Sequence, residues 1–460
     1  MIKNIHLNTG LIILLSITIV AFLVNFTLYP FVGYDSGYYL SIIREVYHGK
    51  VYFTDIAIPY NPLSILLIGI PQLFSEHPDF RFHLLVNIIT IIASAGIFYK
   101  ILGYYNKDWR LKTIFSLLYV AISLTLDGNH LMLEPLSIFF QLLGLLFYLQ
   151  YRNTARFQNL WITGFCIGLS FLAKQYGLFI LLPIGVDILL RKKHILKETF
   201  SIGITLLLPI LLLWIYYITK GVSLSEFIHY ILGKGVHFDV GVGTGVDQKL
   251  SFSTFKHTIY RNPYILLVPI LFFFNYKKIT KENYFIILLP IASFSVLLLA
   301  AYDHYFQYII PYYLLLFVYA ISIIDKKKWN LIILLILIFT TIRIMSMGYK
   351  QFRNNEIEFN TQKKEVQIIK ALVPEQSEVY LDGVSPALYY LCDFKSIQLK
   401  KIGFTFPGYF YPETIINNMN SGAYLIVSEE HQSQYDVFLQ QAIKTPLTLN
   451  DKKFFIYKKQ

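Results

Sequence analysis

Apolar runs of close to twenty residues recur along the chain, separated by short polar stretches that carry Lys and Arg. At about 1.5 Å of rise per residue, a helix of that length crosses the roughly 30 Å hydrocarbon layer of a bilayer. The pattern predicts about eleven spans, at 9–29, 82–101, 111–126, 131–150, 157–173, 176–190, 199–219, 263–276, 283–301, 306–324 and 330–347. The polar stretches test this count. With the N-terminus in the cytoplasm, the inner loops hold Lys100, Lys107, Arg110 and Lys112; Arg152 and Arg156; Arg191, Lys192, Lys193 and Lys197; Lys277, Lys278 and Lys281; and Lys326, Lys327 and Lys328. The outer turns 127–130 and 302–305 carry no Lys or Arg. That asymmetry is the positive-inside pattern, and it repeats down the chain.

Three stretches need separate treatment. Read as one helix, residues 157–190 would be about 50 Å long, too long for one span, and would place "RKKH" outside. Two short legs with Lys174 at a hairpin apex fit better. Residues 62–74, "PLSILLIGIPQLF", are too short to span and read as an interfacial or re-entrant helix within a first outer loop at 30–81. A second outer loop, 220–262, contains "GKGVHFDVGVGTGVD", whose five glycines suggest a flexible lid. A phosphate-cradling loop would require a strand before it and a helix after it, a context this stretch lacks.

Beyond residue 347 the period changes. "SEVYLDG", "AYLIVS" and "FFIYKK" read as short strands, and "KKEVQIIKALV" and "QYDVFLQQAI" as helices. The expected fold is mainly α: a polytopic transmembrane bundle over 1–347, followed by a small extracytoplasmic α/β domain over 348–460.

Composition sharpens this picture. The chain is 55% hydrophobic and 15% charged, against about 25% charged in a soluble domain. Its net charge of +12 belongs to the inner loops and does not signal nucleic acid as a partner. Cys166 lies in an apolar run and Cys392 far away in a polar region, so no disulfide framework is expected. The first apolar run is long, and no small-residue cleavage site precedes Asp35, which favours an uncleaved anchor.

Four ionisable residues fall in separate outer segments on one side of the membrane. They are Asp35 in "VGYDSGYYLS", Glu134 in "GNHLMLEPLSIFF", Lys174 in "LSFLAKQYGLF" and His304 in "AYDHYFQYIIP". Each alone has an ordinary explanation. Asp35 can be a loop carboxylate, and Glu134 beside Pro135 a first-turn acid favoured by the helix dipole. Lys174 can snorkel, and His304 can be a hydrogen-bonded interfacial ring. An ionisable group at the lipid margin is costly unless it faces a cavity or a partner, so four at one face point to a polar pocket.

The order of short motifs carries a resemblance. "DSGYYLSIIR" contains Asp35, Tyr39 and Arg44, and "IPYNPLSIL" leads into the short helix through Asn61. Glu134 opens the fourth span, "GLSFLAK" ends in Lys174 with Gln175 after it, and His304, Tyr305 and Pro311 form a "HYxxxxxP" stretch. In this order the chain resembles the GT-C glycosyltransferases that use lipid-phosphate sugars. The similarity is to the bacterial relatives of protein O-mannosyltransferases and of lipid A aminoarabinose transferases. In that family the first motif is commonly Asp-Glu-x-x-Tyr and the second often Lys-Pro-Pro-Leu; here Ser36 and Asn61 stand at the second acid and at the lysine.

The resemblance implies transfer of a sugar from a polyprenyl-phosphate donor to a lipid, glycan or protein hydroxyl outside the cytoplasmic membrane, with inversion. It implies Asp35 as general base. It assigns substrate binding to Tyr39, Arg44, Asn61, Glu134, Lys174, Gln175 and His304, with Lys174 stabilising the leaving phosphate, aided by Arg44 or His304. No cofactor is assigned other than the option of a divalent cation. Gly33 and Gly37 are expected to let the backbone turn around Asp35, and Tyr38 and Tyr39 to sit at the interface. Two alternatives make different demands. A lipid-sugar flippase or transporter should show paired half-repeats or broken helices near the midplane. A glycan polymerase or ligase, using polyprenyl diphosphate, relies on arginines in a large outer loop, and 220–262 has only Arg261.

Overall fold

A computed structural model describes residues 2–56, 61–128, 130–232, 284–299, 303–323, 326–396, 412–436, 442–449 and 452–459. In chain order the helices are α1 (Ile2–Leu28), α2 (Tyr34–Tyr47), α3 (Pro62–Ile68), α4 (Phe80–Leu102), α5 (Trp109–Ser123), α6 (Glu134–Thr154), α7 (Phe157–Ala173), α8 (Leu181–Arg191), α9 (Ile195–Ile218), α10 (Leu224–Ile231), α11 (Tyr284–Leu299), α12 (Ile310–Ile323), α13 (Lys326–Leu372), α14 (Ala387–Leu391), α15 (Pro412–Asn418) and α16 (Glu429–Asp436). The strands are β1 (Glu378–Asp382), β2 (Lys395–Ser396), β3 (Tyr424–Ser428), β4 (Ile443–Leu449) and β5 (Lys452–Lys458). The chain forms two compact units: 1–27, 85–213 and 245–352 in the first, and 28–84, 214–244 and 353–460 in the second.

The apolar runs fold as helices because, in lipid, a helix satisfies every backbone donor and acceptor within its own segment. Among the described residues, four stretches are long and apolar enough to cross a membrane: Thr9–Leu28, Phe80–Leu102, Trp109–Leu126 and Ile195–Ile218. Shorter apolar helices occupy Phe157–Ala173, Tyr284–Val296 and Ile310–Ser322. The expected span 263–276 and the glycine-rich stretch 233–247 lie outside the described residues.

Within the first unit, α6 and α7 are fastened side by side. Ser170 Oγ donates to Ser137 O at 2.7 Å, and Ser137 Oγ donates to Ser170 O at 3.1 Å. The other flank of α7 meets α9 through small residues. A Cβ on Gly164 would lie 2.4 Å from Ile202 O, and one on Gly168 2.3 Å from Leu206 O, so only glycine permits this approach. The hairpin expected over 157–190 is present: α7 stops at Ala173, Lys174 is extended (φ −160°, ψ 140°), and a 3-10 segment at Gln175–Ile180 leads into α8.

The second unit contains a five-stranded sheet in the order β2-β1-β3-β5-β4. Strands β2, β1 and β3 are parallel, and β5 pairs antiparallel with both β3 and β4. Both faces of its centre are covered. Val379, Leu381 and Ile426 pack on one side, and Tyr380, Leu425 and Val427 on the other. Parallel strands buried on both faces read as continuous apolar runs, which is why "VYL" and "YLIV" are recognisable as strands.

Two local expectations change. The helix α13 runs unbroken for 47 residues past Gly348, so "KKEVQIIKALV" is its last part. The stretch "QYDVFLQQAI" is helical only to Asp436 among its described residues, and β4 begins at Ile443. β4 carries Pro446, which removes a ladder donor; the strand tolerates it because it lies at the sheet edge.

Candidate functional site

In the first unit the hairpin break brings a cation to the start of α6. Glu134 is the first residue of α6, fully buried, with Pro135 behind it in the first turn. Lys174, 2% exposed, donates from Nζ to Glu134 Oε1. His304 Nε2 lies 3.6 Å from the same oxygen. Two of the residues singled out in the sequence, Lys174 and His304, thus converge from separate segments on the carboxylate of a third, Glu134.

Aromatic rings complete this cluster. Lys174 Nζ sits 4.6 Å from the centroid of the Tyr305 ring, a cation–π contact in a desolvated setting. The Tyr305 ring lies 4.5 Å from the His304 ring and 5.0 Å from Tyr176. Gln141, about two helical turns along α6 from Glu134, donates to Gly177 O at 3.0 Å and pins the 3-10 segment after Lys174. Gln175 is the first residue of that segment and half-buried. The second oxygen of Glu134, Oε2, is buried with no hydrogen-bond partner among the described residues.

The charge pattern bears on a metal. Glu134 is paired with the Lys174 ammonium, which disfavours a divalent cation at that oxygen. Among the described residues no group of three or more His, Cys, Asp and Glu side chains is placed to hold one. The side chains around Glu134 suit an anion better: an ammonium has three donors, and Glu134 accepts one of them.

In the second unit, Asp35 is exposed in the first turn of α2, while Ser36 through Arg44 are all buried. A carboxylate in a first turn is favoured by the helix dipole. Gly33 has an ordinary backbone (φ −64°), so no turn requires glycine there. Gly37 is needed for a different reason than turning: a Cβ would fall 2.3 Å from the Ala387 backbone. Tyr38 and Tyr39 are 2% and 4% exposed, so they pack inward instead of forming an interfacial pair. Asn61 is fully buried at the N-cap position of α3, before Pro62, and its side chain makes no cap hydrogen bond.

Arg44 is engaged at long range. Its Nη1 donates to Tyr389 O at 3.0 Å and to Asp393 Oδ1 at 3.0 Å, and Nη2 donates to Phe394 O. Burial pulls its guanidinium below its ordinary value, while Glu45 and Asp393 push it back up. His77 Nε2 approaches the other Asp393 oxygen at 3.5 Å, and Tyr390 donates to Pro78 O. These ties bind α2 and the 77–78 turn to residues 389–394. Asp393 was not legible as a partner of Arg44, because nothing local in the sequence links positions 349 apart.

The chain was compared with known proteins. The sequence profile of Glycosyltransferase family 87 matches residues 58–302, more than half of the chain. Among curated proteins no sequence match was found. Among solved structures, the fold is similar to that of ArnT from Cupriavidus metallidurans bound to undecaprenyl phosphate, with a TM-score of 0.70 at 12% identity over 98% of both chains. The same protein in its apo state gives a TM-score of 0.64 at 10% identity, again over 98% of each chain. The Archaeoglobus fulgidus oligosaccharyltransferase, tethered to an acceptor peptide, gives 0.55 at 14% identity over 98% of this chain and 74% of that one. These likenesses show a GT-C fold.

Proposed function

The chain belongs to glycosyltransferase family 87, and on that premise we propose that it moves a sugar from a polyprenyl-phosphate carrier to an acceptor hydroxyl at the outer face of the cytoplasmic membrane. The observation that carries this reading is the buried cluster in which Lys174 and His304 converge on Glu134 beside Tyr305. A buried cation held by one carboxylate and retaining further N–H donors is suited to a phosphate whose negative charge grows as it leaves. The fold shared with a protein crystallised with undecaprenyl phosphate supports the same donor class.

In this mechanism the acceptor oxygen attacks the anomeric carbon and the bond from that carbon to the carrier phosphate breaks. The electron pair leaves on the phosphate oxygen, and the hydroxyl proton passes to a carboxylate base. Asp35 is assigned as that base: it is exposed and stands at the start of a helix in which Ser36 through Arg44 are buried. A single displacement with one base and no enzyme nucleophile inverts the sugar carbon. Lys174 and His304 stabilise the departing charge, and Glu134 holds Lys174 in place. Arg44, engaged with residues 389–394, acts by holding α2, not by touching the donor.

The test uses detergent-purified protein with a polyprenyl-phosphate sugar and a hydroxyl acceptor. Transfer without a membrane barrier is expected, and its absence for every carrier-linked sugar tried would favour a flippase. Asp35→Asn keeps size and hydrogen bonding but removes the base, so turnover should fall about 10²–10⁴-fold at saturating substrates. Turnover within a few-fold of the parent would remove Asp35 from the role.

A further inference from the structure

A second polar site lies at the opposite end of α6. Glu134 and Arg152 are both on this helix, about 27 Å apart at 1.5 Å per residue. Around Arg152 is a half-open cavity of about 270 Å³, bordered by Tyr104, Tyr105, Leu149, Asn153 and Phe285. At roughly 30 Å³ per water molecule, it has room for several waters or one small headgroup.

The groups behind the cavity are already satisfied. Asp187 is fully buried and accepts from Tyr148 at 2.5 Å, Tyr284 at 2.7 Å and Arg191 Nε at 3.1 Å. Glu198, also fully buried, accepts from Tyr151 at 2.6 Å and Arg191 Nη2 at 2.8 Å. Arg152 joins this network only at its rim, with Nε 3.4 Å from Asp187 Oδ2 and its guanidinium 5.1 Å from the Phe285 ring. Its two terminal nitrogens have no hydrogen-bond acceptor among the described residues. The polar stretches that follow α4, α6 and α8 in sequence carry further Lys and Arg, among them Lys107, Arg156, Lys192 and Lys193. Asp187 and Glu198 are buried and paired with Arg191 and tyrosines, and Arg152 is the charged residue of the cavity lining.

We propose that this cavity binds a phosphate-bearing anion, presented as the headgroup of an anionic membrane lipid. The guanidinium fork matches phosphate oxygens, and basic pockets between membrane helices hold such headgroups. Two phenols and the Asn153 amide supply further donors, while Leu149 and Phe285 offer an apolar wall for the start of the acyl chains. The site is separate from the transfer chemistry at the other end of the helix, and its test does not depend on activity.

Native mass spectrometry of the full chain in detergent reads the binding directly, with phosphatidylglycerol, phosphatidylcholine and inorganic phosphate as probes. Phosphatidylglycerol adducts are expected to survive where phosphatidylcholine adducts do not. Arg152→Gln should weaken phosphatidylglycerol retention about fivefold, the usual effect of one basic charge near a membrane surface. Asn153→Asp keeps the Arg152–Asp187 contact and adds a negative charge at the rim, so it gives the same readout if Arg152→Gln does not fold. Displacement of the lipid by millimolar inorganic phosphate would support the anion site and reassign its occupant to free phosphate. Equal retention of the two lipids, or parent-like phosphatidylglycerol retention in a folded variant, would overturn the proposal.

Discussion

Lys174 shows what burial does to a single charge. Its side chain is 3% exposed and that of Glu134 is 0% exposed, so neither partner is hydrated. Removing one member of such a pair leaves a bare buried charge and typically costs about 3–5 kcal/mol. A snorkelling Lys174 could be replaced without harm to folding; its buried ion pair with Glu134 argues otherwise. Lys174→Met should lower the thermal midpoint and abolish donor use together. The double variant Lys174→Met/Glu134→Gln removes both charges, so its melting temperature should return towards the parent while transfer stays lost. Thermal melts run beside a transfer assay check this. Recovery of transfer in the double variant would mean that Lys174 serves the fold alone.

At the scale of elements, α2 is the informative case. Its buried face is held to the 387–394 segment by the Gly37–Ala387 approach and the three donations from Arg44. Gly37→Val places atoms where the Ala387 backbone already is, so the variant should be strongly destabilised. Arg44→Gln loses hydrogen bonds made by a charged donor, each worth about 1.5–3 kcal/mol. As a positioning residue for Asp35, Arg44 should affect kcat more than KM for the donor, and Arg44→Lys should rescue only in part because it cannot reproduce the fork. A rise in donor KM at constant kcat would instead make Arg44 a donor-binding residue. The sequence pattern predicts an outer loop at 30–81 with a tight turn around Asp35, so neither the helix α2 nor its partner segment was legible.

For the whole molecule, the positive-inside pattern of the basic loops predicts that the sheet-bearing C-terminal segment is extracytoplasmic, and cysteine chemistry can check this. Cys392 is fully buried, and burial pushes its thiol up to about 12, so it carries almost no thiolate near neutral pH. Ser421 is exposed in the turn before β3. In intact cells a membrane-impermeant maleimide should label Ser421→Cys and leave Cys392 unmodified, and Cys392 should react once the protein is denatured. Labelling of Ser421→Cys only after permeabilisation would reverse the orientation.

What the sequence determines by itself is what depends on neighbours along the chain. The length and apolarity of 80–102 or 195–218 are local, and the bilayer demands helix of any such run, so these elements were predictable. The same holds for β1 and β3, whose short apolar runs suit a strand buried on both faces. β4 was missed because Pro446 argues against a strand, and only the order of the sheet makes it an edge. The candidate site divides in the same way. That Glu134, Lys174 and His304 belong to one face was readable from charge and topology. That Lys174 reaches back 40 residues to Glu134, that Arg44 turns to Asp393, and that Asp187 collects Tyr148, Tyr284 and Arg191 was decided only by tertiary packing. A buried charge must find its counterpart in space, and chain distance places no limit on where that counterpart comes from.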